Sequence, residues 1–151
     1  MSGQRKPPTE RSSYPRFHVV PTRWMDNDLY GHVNNVTYYS FFDTALNRYL
    51  LEKCGLDIHN GSVIGIAVDT RCRFFTSFAY PDDVIVGLSV GHLGTSSVRY
   101  DIGLFAGDET VSRADGAFWH VFVERQTMRP VPMPADMRAG LEAIFVERDI
   151  A

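Results

Sequence analysis

Cysteine is scarce: Cys54 and Cys72 are the two thiols in 151 residues, too few for a disulfide framework. Neither shares metal-ligand spacing with the histidines, which are scattered at positions 18, 32, 59, 92 and 120. A reduced, cytoplasmic setting is therefore expected, with no metal or other cofactor. No apolar run approaches the roughly 18 residues a membrane span needs. The opening MSGQRKPPTERSSYP has charge and proline but no apolar h-region, which argues against a secretory signal; residues 1–14 are expected to form a disordered tail. Positive charge is not in excess either. A net charge of −3 implies no basic surface, so nucleic acid is not an expected partner. Finally, there is no P-loop, no glycine-rich phosphate cradle and no Gly-x-Ser-x-Gly elbow.

What the chain has is enough apolar material for one real core. With 44% hydrophobic and 22% charged residues it has the composition of a soluble globular protein, and its length suits a single domain, residues 15–151. The aromatic excess at Phe74, Phe75, Phe78, Phe118, Trp119 and Phe122 reads first as core packing.

The chain is organised around residues 23–55. The first third is a polar turn-forming loop with Asp26, Asn27, Asp28, Gly31, His32, Asn34 and Asn35. After it, Val36, Tyr38, Tyr39, Phe41, Phe42, Ala45, Leu46, Tyr49 and Leu50 recur at spacings of three and four, the helical period. Asn34 or Asn35 suits the N-cap, because a short amide accepts from the orphan N–H groups of a first turn. Gly55 suits the left-handed residue that ends a helix. So much apolar surface requires a largely buried helix.

Strands follow. Residues 17–24 read as a first one, with Pro21 at an edge or bulge because it has no N–H for the ladder. Ile64, Ile66, Val68, Thr70, Cys72 and Phe74 alternate with period two, placing Arg71 and Arg73 on the other face. Residues 84–90 and 98–104 alternate too, joined by a Gly94-Thr95-Ser96 hairpin, and a last strand is expected over residues 109–124, through Val111, Ala117, Trp119, Val121 and Val123. Short turns between runs imply antiparallel neighbours. The class is α+β, an antiparallel sheet of about five strands packed on one long helix. Three prolines between residues 128 and 134 imply an extended stretch, and Met137, Leu141, Ile144 and Phe145 suggest a short amphipathic helix over residues 135–148.

Chemistry points to the loop before the long helix. Asp28 brings a carboxylate to the positive end of the helix dipole and its free N–H groups, where charge developing on a substrate oxygen is stabilised. On its residues alone Asp28 reads first as a turn former, bonding the backbone two residues on, and only then as a catalytic group. Asp26 reads as structural. Gly31 suits a positive φ or close substrate approach. Tyr38, one turn into the helix, is a pocket residue or a core tyrosine. His32 reads as structural or substrate-lining.

The run WMDNDLYGHVNNVTYYSFFD resembles the hot-dog-fold acyl-CoA thioesterases typified by 4-hydroxybenzoyl-CoA thioesterase. Shared are the Asp-x-Asp, the Gly three residues later and a Tyr early in an aromatic-rich helix, and the likeness extends over roughly residues 15–140. It implies a hot-dog fold, the sheet wrapped around the helix, and hydrolysis of an acyl-CoA to acid and coenzyme A without a cofactor. By the same resemblance Asp28 is the catalytic carboxylate, and the backbone N–H of Asn35 polarises the thioester carbonyl. Gly31, His32, Tyr38 and Ser97 are expected around the substrate, and Arg71, Arg73, Arg99, Arg113, Arg125 and Arg129 are candidates for its phosphates, with Thr95 and Ser96. Relatives of this kind are homodimers or homotetramers with the site between subunits. Acyl-carrier-protein thioesterase, hydratase and non-catalytic acyl-CoA binder remain the alternatives.

Overall fold

The structure, a computed structural model, describes residues 5–148. In order it contains β1 (Arg16–Pro21), α1 (Thr37–Lys53), β2 (Val63–Phe74), β3 (Asp83–Leu93), β4 (Ser97–Phe105), β5 (Ala114–Glu124) and α2 (Ala135–Glu142). The strands form one antiparallel sheet in the order β1-β3-β4-β5-β2. Between β1 and β2, α1 carries the chain from one edge of the sheet to the other and buries Tyr38, Phe41, Phe42, Ala45, Leu46, Tyr49 and Leu50. Facing it are Val98, Tyr100, Ile102 and Leu104 of β4 and Phe118 and Phe122 of β5. Each such side chain, fully buried, contributes about 1.5–3 kcal/mol. Gly116 lets the helix come close, since a Cβ there would lie 2.7 Å from the Phe42 ring. This is the α+β sheet-on-helix class that the residue pattern implies and the hot-dog arrangement that the resemblance implies.

Local chemistry sets the element ends. Pro21 closes β1 opposite Asp83, on an edge strand as its missing N–H requires. Neither Asn34 nor Asn35 is the N-cap of α1; Val36 takes that place without a side-chain cap, and Asn34 instead forms the turn before it, its Oδ1 accepting the Val36 N–H at 3.0 Å and its carbonyl the Thr37 N–H at 2.9 Å. Past the helix, Gly55 takes φ +68° and the Leu50 carbonyl accepts from both Cys54 and Leu56.

Four further expectations change. First, the alternation expected through β2 is broken by a bulge between Ala67 and Asp69. One extra residue inverts the facing of everything before it, so Gly65 packs against His120 and Phe122, and Ile64 and Ile66 fall on the face away from α1. Second, β5 begins at Ala114 rather than at residue 109. Glu109 turns the chain, its N–H bonded to the Ala106 carbonyl, and Val111 is half exposed and bridged only to Glu10. Third, α2 stops at Glu142, because the chain beyond it runs beside β3: Val90 donates to the Ile144 carbonyl and Val146 donates to that of Val90.

Fourth, the segment expected as a disordered tail is ordered over residues 5–14, while residues 1–4 lie outside the described residues. Thr9 and Ser112 exchange hydrogen bonds at 2.9 and 3.0 Å, and Arg11 donates to the Thr110 carbonyl at 2.7 Å. Tyr14 is buried on the sheet face away from α1, over Gly87 and Gly103; a Cβ at either would come within 2.8 Å of its ring.

Candidate active site

The loop from β1 to α1 is built from its own polar residues. Asp26, 2% exposed, accepts the Arg23 N–H at 2.7 Å and the Arg23 guanidinium at 2.9 and 3.2 Å, and its carbonyl accepts the Asn34 N–H. Both its oxygens are occupied in holding the loop, the structural role expected of it. Within that frame residues 28–32 fold tightly. Asp28 donates its N–H to the His32 carbonyl at 2.9 Å, and the Gly31 N–H reaches the Asp28 carbonyl at 3.1 Å. Gly31 has φ +80°, with nothing within 4 Å of a notional Cβ, so its constraint is backbone conformation and not space. The Val33 N–H, bonded to the Phe78 carbonyl at 2.8 Å, ties this loop to the segment following β2.

A cleft of about 480 Å³ opens between these two segments. Asp28, His32, Asn35 and Tyr38 line one side and residues 74–77 the other. Asp28 Oδ1 accepts the Tyr30 N–H at 2.8 Å; this is the turn-forming bond, and it leaves Oδ2 without a hydrogen bond among the described residues. At the helix end the N–H groups of Val36, Thr37 and Tyr38 are taken by Asn34 Oδ1 and the carbonyls of Asn34 and Asn35. The Asn35 N–H has no acceptor among the described residues. It stands where the dipole of the 17-residue α1 presents its positive end.

Tyr38 is a core tyrosine that also borders the cleft. It is 3% exposed, its hydroxyl accepts the Phe78 N–H at 3.4 Å, and its ring packs on Phe74 at 4.9 Å. Burial pushes its pKa up against the opposing Phe78 N–H. His32 is exposed at the cleft and makes no hydrogen bond through its ring among the described residues. Gly31 lines an adjoining hollow with Trp24, Leu29 and Asp28.

Ser97 is not brought to this place within one chain. It starts β4, with its carbonyl accepting the Gly94 N–H. The cleft wall is tied to the other end of β4 through Arg113, whose N–H bonds Leu104 and whose carbonyl accepts from Phe75 and Thr76. Ser97 and Leu104 lie near opposite ends of the nine-residue β4, about 23 Å apart along the strand. The six arginines disperse as well. Arg113 holds the Glu109 carboxylate and the Ser77 carbonyl, Arg125 holds the Gly61 and Ile58 carbonyls, Arg129 is exposed just past β5, its carbonyl accepting the Glu124 N–H, and Arg71, Arg73 and Arg99 lie on the far face of the sheet around a separate cavity. The wall at residues 74–77 was not singled out by sequence. Its signal is the adjacent pair Phe74-Phe75, where period-two alternation fails and an aromatic faces each way. No three His, Cys, Asp or Glu side chains among the described residues gather as metal ligands.

Fold and cleft together define a hot-dog protein of the thioesterase class. The chain belongs to the thioesterase-like superfamily, whose family model matches residues 20–141. Among solved structures it is similar to the PA5185 protein from Pseudomonas aeruginosa strain PAO1, at 50% identity and a TM-score of 0.91, covering 92% of this chain and 97% of that one. Slr0204, a 1,4-dihydroxy-2-naphthoyl-CoA thioesterase from Synechocystis, shares the fold with a TM-score of 0.75 at 16% identity, over 83% and 93% of the two chains. The uncharacterized protein YsmA of Bacillus subtilis (strain 168) is 22% identical over 88 residues, 58% of this chain, and the match spans 59% of YsmA's own length. Thioester hydrolysis is the general chemistry this membership supports. No helix among the described residues is long and apolar enough to cross a membrane.

Proposed function

We propose that the protein hydrolyses acyl-CoA thioesters, with Asp28 as nucleophile or general base and the Asn35 N–H as the donor to the thioester oxygen. One observation carries this reading: a carboxylate with an uncommitted oxygen and an uncommitted helix-terminal N–H line the same cleft. The acyl carbonyl oxygen, accepting from Asn35, becomes more negative as the carbon is attacked, and the helix dipole favours that change. Asp28 either attacks the carbon or takes a proton from a water that does; the carbon–sulfur bond then breaks and coenzyme A departs as thiolate, leaving the free acid when water attacks, or an acyl–aspartyl anhydride that water then opens to the free acid and the Asp28 carboxylate. Thioesters suit a weak carboxylate because their carbonyl has little resonance stabilisation and thiolate leaves readily. This chemistry calls on no metal or redox cofactor, and the two unpaired cysteines fit a cytoplasmic setting.

The working unit in this proposal is a homodimer or homotetramer with the cleft at the subunit interface. Supporting it, Trp24, Met25, Leu29, Tyr30 and Val36 are exposed around the loop, more apolar surface than one small region of a lone chain usually shows.

The test is thiol release from aromatic and aliphatic acyl-CoAs by wild type and Asp28→Asn. The variant should lose about 100-fold or more in turnover while melting unchanged, because Asn keeps the oxygen that accepts from Tyr30. Equal turnover would remove Asp28 from the mechanism and direct attention to His32, whose replacement by Ala would be decisive for a hydratase. The Asp28–Tyr30 turn bond also supports a second reading, a non-catalytic acyl-CoA binder. Saturable ligand binding by wild type with no turnover on any substrate would favour it.

A further inference from the structure

On the sheet face turned away from α1, a cavity of about 260 Å³ lies over β2, β4 and β5 and is roofed by residues 6–9 and Tyr14. Among the described residues, Lys6, Arg73, Arg99 and Arg148 line it against two carboxylates, Asp101 and Asp115, and Arg71, which has an interaction of its own, stands beside them. The chain as a whole is acidic, at −3, so this concentration of positive charge is local.

Both carboxylates are already committed. Asp115 takes two N–H groups of Arg73 at 2.8 Å each. Asp101 takes Arg99 at 2.9 and 3.1 Å and stands 3.6 Å from Arg148. Arg73 spends its remaining donors on the Lys6 and Pro7 carbonyls, and Arg148 donates to the Ser13 carbonyl and Ser89 Oγ. Nη1 of Arg99, Nη1 of Arg148 and Nζ of Lys6 have no acceptor among the described residues. Arg99 is only 2% exposed and lies against the Trp119 ring, so water does little to screen its charge. Like charges gathered in a partly desolvated hollow raise its potential, and an anion entering it relieves their repulsion.

We propose that this cavity binds a phosphate or diphosphate group, at a site separate from the Asp28 cleft and independent of the hydrolase reading. The planar forks of Arg99 and Arg148 suit the oxygens of such a group, and Lys6 closes over it from the roof. The group can arrive as a free inorganic anion or on a nucleotide; the shared chemistry is the phosphoryl oxygens.

Calorimetric titration of the full chain with inorganic phosphate, inorganic diphosphate and ADP at low salt tests this. Diphosphate should bind saturably and at least tenfold more weakly to Arg148→Gln. Because Arg148 also holds the C-terminal segment through Ser13 and Ser89, Lys6→Gln is the second variant. Its side chain makes no hydrogen bond among the described residues, so it should melt as wild type does and still bind diphosphate severalfold less tightly. Tighter binding of ADP than of diphosphate assigns the group to a nucleotide, and the reverse assigns a free anion. No saturable binding by any of the three overturns the proposal. So does binding that both variants leave unchanged, or that Asp28→Asn weakens.

Discussion

Gly31 holds φ +80° in the turn that aims Asp28, and no neighbour stands within 4 Å of a Cβ there. Its replacement by Ala therefore isolates a backbone effect. An L-residue in the left-handed region costs about 1–2 kcal/mol, and equilibrium urea unfolding of Gly31→Ala should show that loss. Catalysis should suffer further, through the turn and not through a clash. The contrast between Asp26 and Asp28, two residues apart, also belongs to single side chains. One has both oxygens taken by Arg23, while the other has one bound to a backbone N–H. Sequence named both carboxylates and ranked them correctly for structural commitment, because the residue types and turn spacing were visible. The open Asn35 N–H was legible only through the resemblance, since a backbone donor carries no side-chain signature.

Among the elements, α1 was legible in its span and its stop, because the three–four spacing and Gly55 agreed, while its expected asparagine N-cap gave way to Val36. β2 was not. Its alternation is regular on paper from residue 64 to residue 74, and the single residue of the bulge changes the facing without changing the composition. The same bulge exposes Val68, at 57%, on an edge strand of 12 residues. Long edges of this sort are ready to pair with another chain, and because the cleft wall at residues 74–77 continues directly from β2, pairing there is the way the proposed oligomer would bring a partner to the cleft. Val68→Lys should shift wild-type dimer or tetramer toward monomer in multi-angle light scattering. If wild type is itself monomeric, the interfacial site is wrong. The N-terminal segment escaped sequence reading for a different reason: its anchors are Thr9, Arg11 and Tyr14, which are too irregularly spaced to form a periodic pattern.

At the scale of the molecule, the interior contains a titratable group that sets an acid limit on folding. His120 of β5 is buried beside Tyr100 and Phe118, and burial lowers its pKa below the usual 6.5, with Asp43 opposing. Below that value the unfolded chain binds a proton that the folded one resists, so stability is full above it and declines as pH falls toward the folded pKa. Urea midpoints measured from pH 8 to pH 5 should fall over that window, and His120→Leu should flatten the fall. A wild-type profile with no slope there would contradict it.

Tyr14 seated over Gly87 and Gly103 ties three positions on three different segments into one hereditary unit. While the ring is present, neither glycine can gain even a methyl group without forcing it out. While both glycines are present, losing the ring leaves an open slot on the sheet. Descendants of this chain should therefore change the three together or not at all: lineages that keep an aromatic residue at 14 should keep both glycines, and those with side chains at 87 or 103 should have replaced the tyrosine.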